Sequence, residues 1–191
     1  MAPETQGDRP VVPLTMGSPS YRCVDLDGAG IRITEAQFPA GTALPMHAHE
    51  RTVIAVMLAG GFDLAFRSRA FDCPAGTVSV EPAGEPHANR IGAHGARPLV
   101  LEIASDALTE TLQPCASSLS RPAVFRPGGV GGIARRLRRE LRRCDASSLL
   151  ALEAQALEFL AAVAGCGDRD RDALGRGGWV ATVRDRIHAQ L

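Results

Sequence analysis

Up to about residue 103 the apolar positions come in short runs broken by glycine and proline, and beyond about residue 113 they recur every third or fourth residue. The first pattern predicts β-strands and the second predicts helices. IRITEAQF (31–38), TVIAVML (52–58), FDLAF (62–66), GTVSV (76–80) and PLVLEI (98–103) all carry strand character. Gly60-Gly61 lies between two of these runs and predicts a hairpin turn. The tripeptide PAG precedes a strand at 39–41 and again at 74–76. Many short strands at close spacing predict a sandwich or a small barrel.

The stretch 113–132 is rich in proline, glycine and serine and is expected to be a connector. After it, IARRLRRELRR (133–143) places Ile133, Leu137 and Leu141 at helical spacing, with arginine on nearly every other position. Such a run could contact nucleic acid, but a solvated helix face is the expectation. Residues 145–165 form the strongest helical pattern, with Asp145 or Ser147 as the cap and Gly165 as the stop. Leu150, Ala154, Leu157, Ala161 and Ala164 make one apolar stripe, and Leu149, Leu152, Ala156, Phe159 and Val163 populate another side. A helix apolar on two sides must be covered twice, so pairing with a second copy of the chain is expected here, or else an internal bundle. A glycine-rich hinge (165–178) and a last helix (179–191) follow. The expected organisation is a barrel over 1–112, a connector over 113–132 and a helical segment over 133–191.

Composition changes this picture only at its edges. A hydrophobic content of 45% suits a packed core, and basic and acidic residues balance at 21 each, so no global charge points to nucleic acid or an acidic surface. Every basic residue is arginine. The five cysteines are scattered without a CxxC pair, which argues against a zinc ribbon or a disulfide framework. No apolar leader opens the sequence and no apolar run approaches the length of a bilayer span, so a cytoplasmic protein without membrane contact is expected.

The chemistry concentrates in PMHAHE (45–50). The chain has five histidines, and His47 and His49 stand two apart, the spacing that puts side chains on one face of a strand. His87 follows the turn PAGEP (82–86), and Asn89 shares its parity. If the strands close on one another, these side chains meet inside. Three neutral imidazoles with an open position suit one divalent ion such as zinc, iron, manganese or nickel. They could equally serve as polar anchors for an organic ligand. A purely packing role is disfavoured, because buried polar groups need partners.

Two segments resemble the cupin motifs. GTALPMHAHERTVIAVMLAG (41–60) is similar to the first, G-x5-H-x-H-x3-4-E-x6-G, and GTVSVEPAGEPH (76–87) to the second, G-x5-P-x-G-x2-H-x3-N. The resemblance implies a small antiparallel β-barrel whose pocket receives the histidines. The chain departs from it at two places. Val53 and Ile54 stand where the motif has its glutamate, and Ile91 stands where it has asparagine. Glu50 adjoins His49 and is expected on the opposite face, so Glu102 is the candidate to supply a carboxylate from another strand.

From about residue 28 onward the order of parts resembles the N-terminal sensing domain of AraC-family transcription regulators. The elements that carry this are HAHE, the strand running to a glycine turn, PAGEPHAN, PLVLEI, the arginine-rich helix, the long Ala/Leu helix and WVATVRDRI. The resemblance implies an α+β fold: a cupin-like barrel followed by a helical linker and dimerisation segment. It further implies a small-molecule effector, a homodimer through helix 145–165, no turnover, and no DNA binding by this chain alone, because the helix-turn-helix motifs are absent. The expected ligand residues are His47, His49, His87, Asn89 and Glu102, with the three histidines as metal ligands if an ion is held. Val56, Phe62 and Phe66 are expected as walls, and Arg67, Arg90 or Arg97 as contacts for an anion. The competing expectation is a stand-alone metal-dependent cupin enzyme, a dioxygenase or isomerase.

Overall fold

The computed structural model describes residues 20–166, apart from residues 111, 144 and 146 and the side chain at 114. The predicted helix at 179–191, most of the hinge before it and the N-terminal tail lie outside the described residues. The strands are β1 (Ser20–Leu26), β2 (Ile31–Gln37), β3 (Ala43–His47), β4 (Thr52–Phe66), β5 (Ala70–Pro74), β6 (Val78–Glu81), β7 (His87–Ile103) and β8 (Ala123–Phe125). The helices are α1 (Ser105–Glu110), α2 (Gln113–Leu119), α3 (Val130–Arg143) and α4 (Ser148–Ala164). The stretch expected as a connector thus contains α2 and β8, and β8 joins the sheet beside β6.

All strand pairs are antiparallel, in the order β1-β2-β7-β4-β6-β8, with β3 on the first part of β7 and β5 on the second part of β4. The hydrogen-bonded path does not close into a ring among the described residues. The architecture is α+β, a barrel-like antiparallel sheet with helices against one side.

Two long strands organise it. β4 and β7 pair along almost their whole lengths, from Thr52↔Ile103 to Phe66↔His87. The hairpin expected at Gly60-Gly61 is therefore wrong: TVIAVML and FDLAF are halves of one strand. The glycines mark irregularities instead, because the register shifts between Met57 and Ala59 and again between Gly60 and Phe62. A bulge of this kind bends a strand sharply without ending it. Each long strand serves both halves of the sheet: β2 and β6 flank one half, and β3 and β5 flank the other.

Period-two alternation then sorts the side chains of β2, β4 and β7. Ile31, Ile33, Ile54, Val56, Leu99, Leu101 and Ile103 join one buried cluster with the helices. Thr34, Val53, Ala55 and Val100 face the other way, into a cavity. Val56, expected as a cavity wall, lies on the helix side for this reason of parity. Helix α3 seats Val130, Ile133, Ala134, Leu137 and Leu141 on this cluster, and α4 adds Leu152, Ala156, Phe159, Leu160 and Val163. Each fully buried large side chain of this kind contributes roughly 1.5–3 kcal/mol.

At the start of α4, Ser147 occupies the cap position without a side-chain bond, and Asp145 accepts from the Ser147 amide at 3.0 Å instead. The arginines of α3 are not all solvated. Arg138 and Arg142 reach across to Glu35 of β2, whose side chain is only 6% exposed. Arg142 donates from both Nε (2.8 Å) and Nη2 (2.9 Å), and Arg138 donates from Nε (2.7 Å). Burial alone would raise the Glu35 carboxyl, but the bonds and charges of Arg142 and Arg138 prevail and hold it below the ordinary value.

Candidate metal and effector site

The sheet lines an open-mouthed cavity of about 510 Å³. His47 is the last residue of β3 and pairs with His87, the first residue of β7. His49 lies two residues beyond the strand, yet its ring reaches the same point. The ring centroids are 4.9 Å apart for His47 and His49, 4.4 Å for His47 and His87, and 5.0 Å for His49 and His87. One nitrogen from each ring falls within a cluster 4.8 Å across. The convergence expected from the sequence is therefore present.

The orientation of two rings is fixed from behind. His47 Nδ1 lies 2.7 Å from the Pro45 carbonyl, and His87 Nδ1 lies 3.0 Å from the Glu85 carbonyl. A carbonyl only accepts, so each Nδ1 carries the proton and donates it. In the neutral form of each ring that leaves Nε2 as a lone pair for a ligand, the arrangement that backbone carbonyls impose on metal-binding histidines.

Sequence reasoning missed Glu81. Its side chain is 5% exposed, and its Oε2 lies 3.2 Å from His87 Nε2 and 3.9 Å from His49 Nε2. Ser79 donates to the other oxygen, Oε1, at 2.8 Å. Burial pushes the His49 imidazole below its ordinary value, and neighbouring His87 and His47 add to this, against the pull of Glu81. Burial works the same way on His87, but there the Glu81 carboxylate overrides it and the value is raised.

Asn89 and Glu102, both expected from the sequence, line the same cavity. Glu102 pairs across the sheet with Arg32 on one side and with Val53 on the other. Phe62 lines the cavity as expected, whereas Phe66 packs in a separate apolar cluster with its ring 6.0 Å from that of His87. Of the arginines, the lining one is Arg32, which ion-pairs with Asp25 at 2.6 Å; Arg67, Arg90 and Arg97 are not among the lining residues.

The family model described as the AraC-like ligand binding domain matches residues 28–160. The chain belongs to this family. Among solved structures it is similar to a tryptophan-to-phenylalanine variant of oxalate decarboxylase from Bacillus subtilis, with 21% identity, 48% of this chain and 26% of that chain covered, and a TM-score of 0.42. A second structure of the same Bacillus subtilis enzyme, described for its Mn(II) centres, gives 20% identity, 45% and 25% coverage, and a TM-score of 0.41. The match thus spans about a quarter of those chains. A comparison with curated protein sequences finds no relative.

Proposed function

We propose that this chain is the effector-sensing and dimerisation domain of an AraC-family transcriptional regulator, and that its cavity takes a small polar effector or a divalent metal ion. The observation that carries this reading is the meeting of His47, His49 and His87 at the wall of a cavity, in a chain of the AraC-like ligand-binding family. The donor set fits an ion: two rings present their Nε2 lone pairs, and His87 Nε2 is buried without a hydrogen bond. A bound divalent ion would act as a Lewis acid that anchors an oxygen-bearing effector. Asn89 and Glu102, both on β7, would orient that effector, and the Val53, Ala55 and Phe62 surfaces would exclude water from it.

Elemental analysis of untagged protein beside His87→Ala tests the site. The expected result is one ion per wild-type chain and loss of it in the variant. Absence of metal from the wild type, even after incubation with zinc or manganese salts, would leave the histidines as grips for an organic effector. The competing reading, a metal-dependent cupin oxygenase or isomerase, draws on the same histidines. Oxygen uptake by the metal-loaded protein over a panel of small oxygenated substrates would favour it.

Helix α4 is the proposed dimer surface. Leu149 is 51% exposed and Leu150 is 76% exposed, and Ala154 and Ala161 on the Leu150 stripe are also exposed. Small residues on such a stripe permit close approach of a second helix. Leu150→Glu is expected to shift the protein from dimer to monomer in sedimentation velocity, with the far-UV spectrum unchanged. A wild-type protein that sediments as a monomer at all concentrations would rule the dimer out. A cytoplasmic location belongs to the same proposal; no helix among the described residues is long and apolar enough to cross a membrane.

A further inference from the structure

We propose that Glu81 is the carboxylate ligand of the ion held by His47, His49 and His87, supplied from β6 in place of the acid that the first histidine motif lacks. The inference rests on the metal-binding reading above and specifies its ligand set.

Position 53 is where the missing acid belongs in space, because Val53 lines the cavity whereas Ile54 packs toward the helices. Val53 pairs with Glu81 on β6 and with Glu102 on β7. Residues directly opposite on neighbouring strands project on the same face, roughly 5 Å apart. Each glutamate can therefore bring a carboxylate toward the place a side chain at 53 would fill. Distance separates the two candidates: Glu81 Oε2 is within 4 Å of two of the imidazole nitrogens, whereas Glu102 neighbours Arg32.

The contact between Glu81 and His87 is satisfied only by a positive charge, a proton on His87 Nε2 or a cation shared by the two groups. With Nδ1 of His87 donating to the Glu85 carbonyl, Nε2 of the neutral ring presents a lone pair. A lone pair facing a carboxylate oxygen at 3.2 Å, both groups about 95% or more buried, is a repulsive pairing of two acceptors. His87 Nε2 makes no hydrogen bond that would relieve it. A cation at the centre of His47, His49, His87 and Glu81 turns the repulsion into shared coordination. Ser79 completes the preparation by occupying Oε1, which leaves Oε2 directed at the imidazoles. Supports of this kind, behind the ligand atoms, are what distinguishes a prepared site from a chance cluster.

The test is calorimetric titration of metal-free protein with Mn²⁺ and with Zn²⁺, using wild type, Glu81→Gln, Glu102→Gln and the double variant Val53→Glu/Glu81→Gln. A hard ion such as Mn²⁺ depends on oxygen ligands more than Zn²⁺ does. Glu81→Gln is therefore expected to weaken Mn²⁺ by at least about tenfold and Zn²⁺ by less. Glu102→Gln should weaken Mn²⁺ clearly less than Glu81→Gln does, and the double variant should recover Mn²⁺ affinity, because it restores a carboxylate at position 53. Thermal melts establish that each variant is folded; should Glu81→Gln fail to fold, Glu81→Asp is titrated in its place with the same expectation. Wild-type binding that survives in Glu81→Gln, or falls equally in Glu102→Gln, overturns the role of Glu81 while leaving the metal site standing. Wild-type protein that takes up neither ion overturns both, and Glu81 is then the counter-charge of a protonated His87.

Discussion

Gly60→Ala is expected to remove most of the folded population, a loss of at least about 4 kcal/mol. Gly60 sits at φ +70°, and a Cβ built there would lie 2.0 Å from the Gly95 carbonyl oxygen and 2.8 Å from its carbon. Both obstacles are backbone, so no side-chain rotation relieves them. The left-handed conformation alone costs an L-residue about 1–3 kcal/mol, and the clash comes on top of it. Gly41→Ala separates the two contributions, because Gly41 has a similar φ of +75° but nothing within 4 Å of its added Cβ. Urea denaturation followed by circular dichroism should place Gly41→Ala within about 2 kcal/mol of wild type and Gly60→Ala far below it. Equal losses in the two variants would mean that the β4–β7 crossing tolerates displacement. The site depends on this crossing, since β4 sends Val53 and Ala55 to the cavity before the bend and Phe62 to it after the bend.

The strands legible in the sequence were those whose alternation is strong, such as IRITEAQF and PLVLEI. β1, β5 and the first part of β7 were not predicted, because SYRCVDL and HANRIGAHG carry polar or small residues where they meet solvent or cavity, and AFDCP is too short to show an alternation. Gly60-Gly61 gave the wrong signal because a paired glycine marks both a turn and a bulge, and only the long-range pairing of β4 with β7 decides between them. The histidines were legible because their spacing is local on each side of the site. Glu81 was not, although it carried a signal: an acid at the end of the buried run VSVE, with every residue of β6 buried. A charge at the end of an apolar strand reads as the edge of a loop unless the partner strand is known. Glu35 was hidden for the same reason, since its partner Arg138 lies 103 residues away.

Glu35→Gln is expected to destabilise the protein by about 2 kcal/mol at neutral pH, in the range for breaking a charge-assisted buried pair with one side partly solvated. The carboxylate is buried, but Arg138 is 30% exposed and Arg142 50%, so the stranded guanidiniums can turn to water and the cost stays below that of a fully buried pair. Glu158→Gln is the control, because its partner Arg136 and Glu158 itself are both exposed, and such pairs contribute under about 1 kcal/mol. The pH dependence gives the effect its signature. The Glu35 carboxyl is depressed below its ordinary value of 4.5, so its stabilisation is complete above that value and is lost as pH falls through the lower, folded-state value. Wild type and Glu35→Gln should therefore differ by a constant amount from pH 7 to about 5 and converge in more acid solution. A gap that persists unchanged in acid would mean that Glu35 acts by shape rather than by charge. The consequence reaches past stability. Glu35 leaves β2 on the helix side, while Arg32 and Thr34 leave it on the cavity side. Any effector that displaces β2 must move the carboxylate on which α3 is fastened, so Glu35→Gln should also weaken whatever coupling the cavity has to the helices.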